Sequence, residues 1–258
     1  MILPKVIGHR GAAGMAPENT LAGFRHAISV GAPWVEFDTQ LSADKRVIVF
    51  HDDRLDRTTD GSGSVDDTDF ETIRKLDAGA WFDPAFAGEL VPTLKETLAL
   101  LLQLGLHPDI EIKPAEGRET ETARAVMAEV LAVWPVGAPP PLITSIKHDC
   151  LRIARELAPD WPRGLVCFRY PRNWRALLED LACGIMICKE SLLDRRRVER
   201  ITGAGYALMA FTVNRPRRAA TLLSWGVSPI ITDRRPRIFW RSLPNHYSFG
   251  TAVSRGGT

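Results

Sequence analysis

Short runs of β-forming residues alternate with amphipathic, helix-like stretches along most of the chain, and this alternation constrains the fold more than any other feature. Eight runs are typical of strands: Val6–Gly8, Trp34–Asp38, Asp109–Lys113, Leu142–Ser145, Gly164–Phe168, Gly184–Cys188, Ala207–Val213 and Pro229–Thr232. Strands that alternate with helices form parallel sheets, and eight such units in roughly 250 residues are typical of one closed barrel. The sequence therefore predicts an α/β fold of the (β/α)8 TIM barrel type.

An open, doubly wound sheet is the alternative architecture. Its glycine-rich phosphate-binding turn would follow the first strand, but the segment from Gly8 to Gly14 carries His9 and Arg10 where such a turn needs bare backbone. We therefore expect residues 1–258 to form a single barrel domain. The chain loses its periodicity near its end, and we expect residues 243–258 to be a loosely ordered tail.

One segment interrupts the alternation after the second strand. A further β-like run, Val47–Phe50, is followed by about forty residues of mixed character, with a turn cluster at Asp60–Ser64 and a short helix-like stretch at Phe70–Leu76. Long insertions at the end of a barrel strand are usually functional. We predict that residues 52–92 form a small inserted cap subdomain, called the cap below, over the site.

Composition excludes several classes of protein. No stretch approaches the ~20 uncharged apolar residues that a membrane span requires, so a transmembrane protein is excluded. The four cysteines show no CxxC spacing, which argues against a zinc site or a disulfide framework and favours a reducing compartment. The first residues also lack the pattern of a secretory signal. We therefore expect a cytoplasmic protein without stable membrane association.

The charge is unevenly distributed, although the formal net charge is only +2. Residues 1–130 carry a net charge of −9 and residues 131–258 carry +11. The arginines of the basic half recur at helical intervals without interleaved aromatic residues, as at Arg195, Arg196, Arg197 and Arg200. This pattern indicates solvated helix faces rather than a nucleic-acid surface, and we expect no nucleic-acid partner.

Carboxylates alternate with apolar residues in the second and third barrel strands. Glu36 and Asp38 share one face of their strand, and Glu111 shares a face with Lys113. Carboxylates that enter a barrel together repel one another unless a cation joins them, and three oxygen ligands without Cys or His suit Mg²⁺ or Ca²⁺. The pattern predicts a site for one divalent cation. A structural ion pair between Glu111 and Lys113 is the alternative.

Two histidines follow strands in the same region of the sequence. His9 comes directly after the first strand and His51 after the run Val47–Phe50, so both should lie at the catalytic end of a barrel. Imidazole exchanges protons near neutral pH, and Arg10 and Lys113 could bind an anion beside it. A cation site, two cationic side chains and two acid–base groups are the parts that attack on a phosphodiester requires.

Several motifs resemble the glycerophosphodiester phosphodiesterase family. They are Val6–Gly11, Ala16–Thr20, Val35–Asp38, His51–Thr59, Ile110–Pro114 and Phe211–Asn214. The resemblance covers nearly the whole chain and is closest to the bacterial cytoplasmic enzyme of the glycerol-3-phosphate uptake operon. Two positions depart from the family pattern as we expect it, since Asp109 stands in place of Asn and Lys189 in place of an uncharged polar residue.

The resemblance implies a function and a set of site residues. The family hydrolyses glycerophosphodiesters such as glycerophosphocholine and glycerophosphoethanolamine to sn-glycerol 3-phosphate and an alcohol, on a barrel with an inserted cap. It implies catalytic histidines at His9 and His51, phosphate contacts from Arg10 and Lys113, metal ligands at Glu36, Asp38 and Glu111, and a supporting role for Glu18. A residue at a helix N-terminus, favoured by the helix dipole, is the alternative for Glu18.

The sequence leaves the chemical route and the substrate open. Either the glycerol 2-hydroxyl attacks phosphorus to give a cyclic phosphate, with the histidines moving the protons, or water attacks directly. A lysophospholipase D is the alternative function, because Trp81, Phe82 and Phe86 could line an acyl groove. A barrel that binds phosphate without catalysis is a further alternative, although every proposed catalytic residue is chemically intact. Nothing in the sequence indicates the oligomeric state.

Overall fold

The computed structural model describes residues 3–234 as a closed barrel of parallel strands surrounded by helices. The strands are β1 (Val6–Gly8), β2 (Trp34–Leu41), β3 (Val47–Val49), β4 (His107–Ile112), β5 (Leu142–Ser145), β6 (Arg163–Cys167), β7 (Ile185–Lys189), β8 (Ala207–Phe211) and β9 (Ile230–Thr232). The helices are α1 (Leu21–Ser29), α2 (Phe70–Ile73), α3 (Leu94–Leu104), α4 (Glu119–Val133), α5 (His148–Leu157), α6 (Trp174–Asp180), α7 (Arg195–Thr202) and α8 (Pro216–Trp225).

Eight of these strands close the barrel in the order β1, β2, β4, β5, β6, β7, β8, β9, and β1 pairs in parallel with both β2 and β9. The predicted (β/α)8 fold is confirmed. The remaining strand, β3, is antiparallel to β2, with Thr39 opposite Val49 and Leu41 opposite Val47. Strand β3 reverses the chain direction at the end of the barrel where the parallel strands terminate, and it leads into the cap. The predicted tail, residues 243–258, lies outside the described residues.

The apolar and the acidic side chains of β2 point to opposite faces of the strand, as predicted. Phe37 faces the helices, where its ring makes an edge contact with Phe24 of α1 at 5.6 Å between centroids. Glu36 and Asp38 face the barrel interior, beside Asp109 and Glu111 of β4 in the strand register. The apolar residues that pack below them include Ile7, Trp34, Leu142, Ile187, Met209 and Ile231. The barrel is therefore apolar at its base and polar at its mouth.

The cap follows β3 and has its own small core. Ile48, Phe50, Leu55, Val65 and Ile73 are all buried against one another in that core. The cap contains α2 and two short 3₁₀ turns, at Leu55–Arg57 and Pro84–Phe86. It rejoins the barrel at α3, which begins with a capping box formed by the side chains of Thr93 and Glu96. Because its core is anchored by β3, the cap holds His51 and its neighbours in fixed positions at the mouth.

Within residues 3–234, no helix combines the length and the apolar character needed to cross a membrane.

Candidate active site

Three carboxylates converge at the mouth of the barrel. Oxygen atoms of Glu36, Asp38 and Glu111 all lie within 4.8 Å of one another. Burial, together with the charge of Asp38, raises the pKa of Glu36 well above its usual value. The same two causes raise the pKa of Glu111 to about 8, although Lys113 opposes the shift. The cluster thus holds more negative charge than its protein neighbours neutralise, and its ligands are the hard oxygens that Mg²⁺ and Ca²⁺ prefer.

The loop after β1 wraps closely around these carboxylates. The Arg10 amide donates to Glu36 Oε2 at 3.0 Å, and the Gly11 amide donates to the Glu36 carbonyl oxygen at 3.2 Å. Arg10 adopts a φ of 47°, a left-handed conformation that is uncommon for a side chain of this size. A Cβ on Gly8 would lie 2.2 Å from the carbonyl oxygen of Gly11, so the turn requires glycine at position 8. This tight turn places His9 and Arg10 at the mouth.

Asp38 is the most enclosed member of the cluster. Its Oδ2 accepts a hydrogen bond from Asn19 Nδ2 at 2.9 Å, and Arg10 Nε lies 3.5 Å away. Asn19 belongs to the loop that leads into α1, whose first turn is capped by the side chain of Thr20. Asn19 is a site residue for which the sequence predicted no role. Its motif, Ala16–Thr20, was the available signal, because a helix cap explains Thr20 but not the preceding asparagine.

Asp109 lies one layer deeper than Glu111 on the same strand. Its Oδ1 accepts a hydrogen bond from Thr144 Oγ1 at 3.0 Å, while its Oδ2 is buried without a partner among the described residues. Burial raises the pKa of Asp109 to about 7; the Thr144 hydrogen bond opposes the shift and the charge of Asp38 adds to it. The departure noted in the sequence therefore adds a buried carboxyl below the cluster rather than a fourth member of it.

His9 is held by a chain of hydrogen bonds from residues that follow β8 and β9. His9 Nδ1 donates to Asp233 Oδ1 at 2.6 Å, and Asn214 Nδ2 donates to Asp233 Oδ2 at 2.5 Å. Burial lowers the pKa of His9, but Asp233 and Glu36 outweigh it and the net shift is upward. Because Nδ1 is engaged by Asp233, Nε2 is the nitrogen that faces the cluster, 4.0 Å from Glu36 Oε2.

His51 is held in a similar way from the cap. His51 Nδ1 donates to Asp52 Oδ1 at 2.5 Å, and Lys113 Nζ donates to the His51 carbonyl oxygen at 2.5 Å. The pKa of His51 is lowered, first by burial and then by the nearby charges of Arg10 and Lys113, against the opposing effects of Asp38 and Asp52. Both predicted histidines therefore have a carboxylate at Nδ1.

A second acidic group is formed by Glu18 and Asp52 beside His51. The guanidinium of Arg57 already lies between its two carboxylates. Arg57 donates to Asp52 through Nε at 2.6 Å and to Glu18 through Nη2 at 2.7 Å. Arg10 Nη1 also donates to Glu18 Oε1 at 2.6 Å. Glu18 is thus tied to the two arginines rather than to a helix N-terminus. Arg57 is a residue that the sequence analysis did not assign, because Arg–carboxylate contacts across a loop have no periodicity.

A cavity of about 470 Å³ joins these groups. The predicted site residues that line it are His9, Arg10, Glu36, Asp38, His51, Glu111 and Lys113, and its remaining walls are Ile146, Phe168, Lys189, Glu190, Phe211 and Thr212. A neighbouring cavity of about 380 Å³ shares Glu111, Lys113 and Ile146 with it. The structure therefore brings seven of the eight predicted residues to one surface, and Glu18 contacts that surface through Arg10.

The aromatic residues of the cap do not line this cavity. Phe82 makes edge contacts with Trp81 at 5.7 Å and with Phe86 at 5.8 Å between ring centroids. Phe82 thus packs against both other rings, and none of the three is among the residues at the walls of either cavity. The acyl groove considered for a lysophospholipase D has no support here.

Comparison with known proteins places these residues in a family. The model of the glycerophosphoryl diester phosphodiesterase family matches residues 9–236. A glycerophosphodiester phosphodiesterase of Caldanaerobacter subterraneus subsp. tengcongensis is 34% identical over 234 residues, which cover 88% of this chain and 93% of the relative. A Bacillus subtilis (strain 168) protein, named as a candidate glycerophosphodiester phosphodiesterase, is 36% identical over 239 residues, with coverage of 88% and 93%.

A solved structure supports the same family as these two relatives. The Oleispira antarctica phosphodiesterase, solved in complex with the product sn-glycerol-3-phosphate, superposes with a TM-score of 0.90 and 38% identity over 93% of this chain and 96% of the other. The narrower resemblance to the enzyme of the glycerol-3-phosphate uptake operon stays a prediction. The match over most of the chain, together with the arrangement of the site, shows that the chain belongs to the glycerophosphoryl diester phosphodiesterase family, a family of phosphoric diester hydrolases.

Proposed function

We propose that this phosphodiesterase hydrolyses glycerophosphodiesters, among them glycerophosphocholine and glycerophosphoethanolamine, to sn-glycerol 3-phosphate and an alcohol in a reaction that requires one divalent cation. The observation that carries the proposal is a single cavity in which three buried carboxylates face two histidines, each hydrogen-bonded to its own aspartate. The product bound to the Oleispira antarctica enzyme supports the same reaction.

The donor set fits Mg²⁺ or Ca²⁺. Glu36, Asp38 and Glu111 offer only oxygen atoms, and their mutual repulsion falls when a cation binds among them. When bound, such a cation would neutralise the charge that develops on the phosphoryl oxygens. The second acidic group is a poor candidate for this role, because Arg57 already lies between Glu18 and Asp52.

Arg10 and Lys113 are the proposed phosphate ligands. Both line the cavity beside the carboxylates, and each is held by the protein before substrate arrives: Arg10 by Glu18 and Lys113 by the His51 carbonyl oxygen. A cation that is already oriented loses less side-chain entropy on binding an anion. Through its contact with Arg10, Glu18 would act as a supporting residue.

His9 and His51 are the proposed acid–base pair. In each ring Nδ1 donates to an aspartate, which fixes the ring orientation and leaves Nε2 to exchange a proton with the substrate. One histidine would remove a proton from the attacking hydroxyl while the other protonates the departing alcohol. No serine or cysteine is among the proposed catalytic residues. We therefore propose the glycerol 2-hydroxyl as the attacking group, with a cyclic phosphate that is later opened by water.

We further propose that the enzyme works in the cytoplasm, without nucleic-acid or stable membrane partners. The four cysteines are free and buried, as expected of a protein that keeps its thiols in a reducing compartment. Many surface arginines are paired with acidic neighbours, such as Arg152 with Asp149 and Asp180. Such pairing reduces the attraction of a polyanion for these arginines.

The cation requirement is tested by chelation. We expect chelator to lower turnover of glycerophosphocholine at least ~10³-fold and added Mg²⁺ or Ca²⁺ to restore it, since a bound cation contributes several kcal/mol to transition-state stabilisation. Glu36→Gln should lose activity to a similar extent while keeping its circular dichroism spectrum. Glu121→Gln, at a partly exposed carboxylate outside the cavity, is the matched control and should stay active. Full activity of the metal-free wild type would contradict the proposal.

The histidine roles are tested by kinetics. His9→Ala and His51→Ala should each lower kcat by roughly 10²–10⁴-fold with much smaller changes in KM, because each ring acts in the transition state. The double variant should be little worse than the poorer single variant, since both rings serve the same transition state. His26→Ala, in α1 and outside the cavity, should retain wild-type kcat. Near-wild-type kcat in either catalytic variant would assign that histidine a structural role.

The attacking group is tested with a modified substrate. A 2-deoxyglycerol phosphodiester should bind but turn over at least ~10³-fold more slowly, a loss of about 4 kcal/mol, because it lacks the intramolecular nucleophile. Turnover of both substrates is measured with the metal-loaded enzyme. Equal rates would reject the cyclic phosphate and favour direct attack by water.

A further inference from the structure

Lys189 lies on the wall of the active-site cavity opposite the carboxylates. It is the last residue of β7, is exposed, and lines the same cavity as Glu36 and Asp38. In the closed barrel, three strands separate β7 from β2 in either direction. The two strands therefore face each other across the mouth, with Lys189 at the far side from the proposed cation and phosphate site.

Lys189 differs from the other cavity-lining cations in having no partner in the described part of the chain. Within residues 3–234, Arg10 pairs with Glu18 and Lys113 donates to His51, whereas the Lys189 ammonium makes no hydrogen bond or ion pair.

The carboxylate next to Lys189 in sequence is already engaged. Glu190 Oε1 accepts from Arg215 Nη2 at 3.0 Å, and Glu190 Oε2 accepts from Arg218 Nε at 2.6 Å. Among residues 3–234, no carboxylate therefore pairs with Lys189, which lines the space that a substrate would occupy.

The charges around the mouth also distinguish its two sides. The cap, residues 52–92, contains eleven acidic and four basic residues, a net charge of −7. On the other side, exposed Arg169 follows Phe168 at the end of β6, close to the wall that carries Lys189. Such a difference orients a polar substrate as it approaches, with its more negative end away from the cap.

An apolar surface lies on the same wall as Lys189. Phe168 is 54% exposed and makes an edge contact with Phe211 at 5.0 Å between ring centroids. Phe211 of β8 is the register partner of Lys189 on the neighbouring strand β7, so the two residues lie side by side. A short carbon chain could pack on these rings while a charged group at its end reaches the ammonium.

We propose that Lys189 binds an anionic group on the leaving alcohol, so that this enzyme prefers glycerophosphodiesters whose alcohol carries a carboxylate. The inference rests on the proposed function and specifies its substrate class. Serine and ethanolamine form a matched pair of alcohols, since they differ only in the carboxylate of serine. Glycerophosphoserine and glycerophosphoethanolamine therefore isolate the contribution of one negative charge.

The experiment compares kcat/KM for the two substrates with the metal-loaded enzyme at low ionic strength. The wild type should prefer glycerophosphoserine by roughly two- to fivefold, the range of a partly exposed ion pair. Lys189→Gln should bring the ratio to about one, and Lys189→Glu should reverse the preference. Arg217→Gln removes an exposed charge outside the cavity and should keep the wild-type ratio. Added salt should weaken the wild-type preference.

Two results would overturn the proposal. A wild-type ratio near one would show that the carboxylate is not recognised. An equal loss on both substrates in Lys189→Gln would mean that Lys189 acts on the glycerol or the phosphate, which the two substrates share. Hydrolysis of neither substrate by the wild type would instead overturn the proposed function on which the inference rests.

Discussion

The repulsion among three buried carboxylates is the constraint on which the site depends. Glu36 and Asp38 lie on one strand and Glu111 on its neighbour, and the β2–β4 pairing holds their backbones side by side with the carboxylate oxygens within 4.8 Å of one another. Protein groups offset this charge only in part: Asn19 donates a hydrogen bond to Asp38, Arg10 Nε lies 3.5 Å from Asp38, and the charge of Lys113 opposes the upward pKa shift of Glu111. The remaining negative charge is what a divalent cation would neutralise, and the loops around the mouth are arranged so that one can do so.

The barrel brings together groups that are far apart in the sequence. Asp233 follows β9 and holds His9 after β1, a contact between residues 224 positions apart that closure of the sheet makes local. His51 depends instead on the cap, through Asp52 and Arg57. The two rings are thus fixed by independent parts of the chain, one by the barrel and one by the insertion. An error in either part would leave one histidine misplaced.

Strand periodicity was enough to predict the barrel and the inward direction of Glu36, Asp38 and Glu111, because alternation in a strand determines which side chains enter the interior. The antiparallel pairing of β3 and the Asp233–His9 contact follow from chain reversal and from barrel closure, neither of which has a local sequence signal. Arg57 was missed for a related reason: it contacts Glu18, which lies 39 positions earlier in the chain, and a contact across loops has no periodic sequence pattern.

Thermal unfolding tests most directly the cost of burying these carboxylates beside one another. When folding raises the pKa of a carboxyl group, the protein loses stability as the pH rises from the unfolded pKa to the folded pKa of that group. The folded pKa is about 8 for Glu111, so the whole of this loss of stability is present at pH 9. At pH 9 in chelator, Glu111→Gln should therefore unfold at a higher temperature than the wild type. Added Mg²⁺ or Ca²⁺ should raise the Tm of the wild type and leave that of the variant nearly unchanged. A variant that unfolds below the wild type in chelator would contradict this explanation. A wild-type Tm that changes with neither ion would also contradict it.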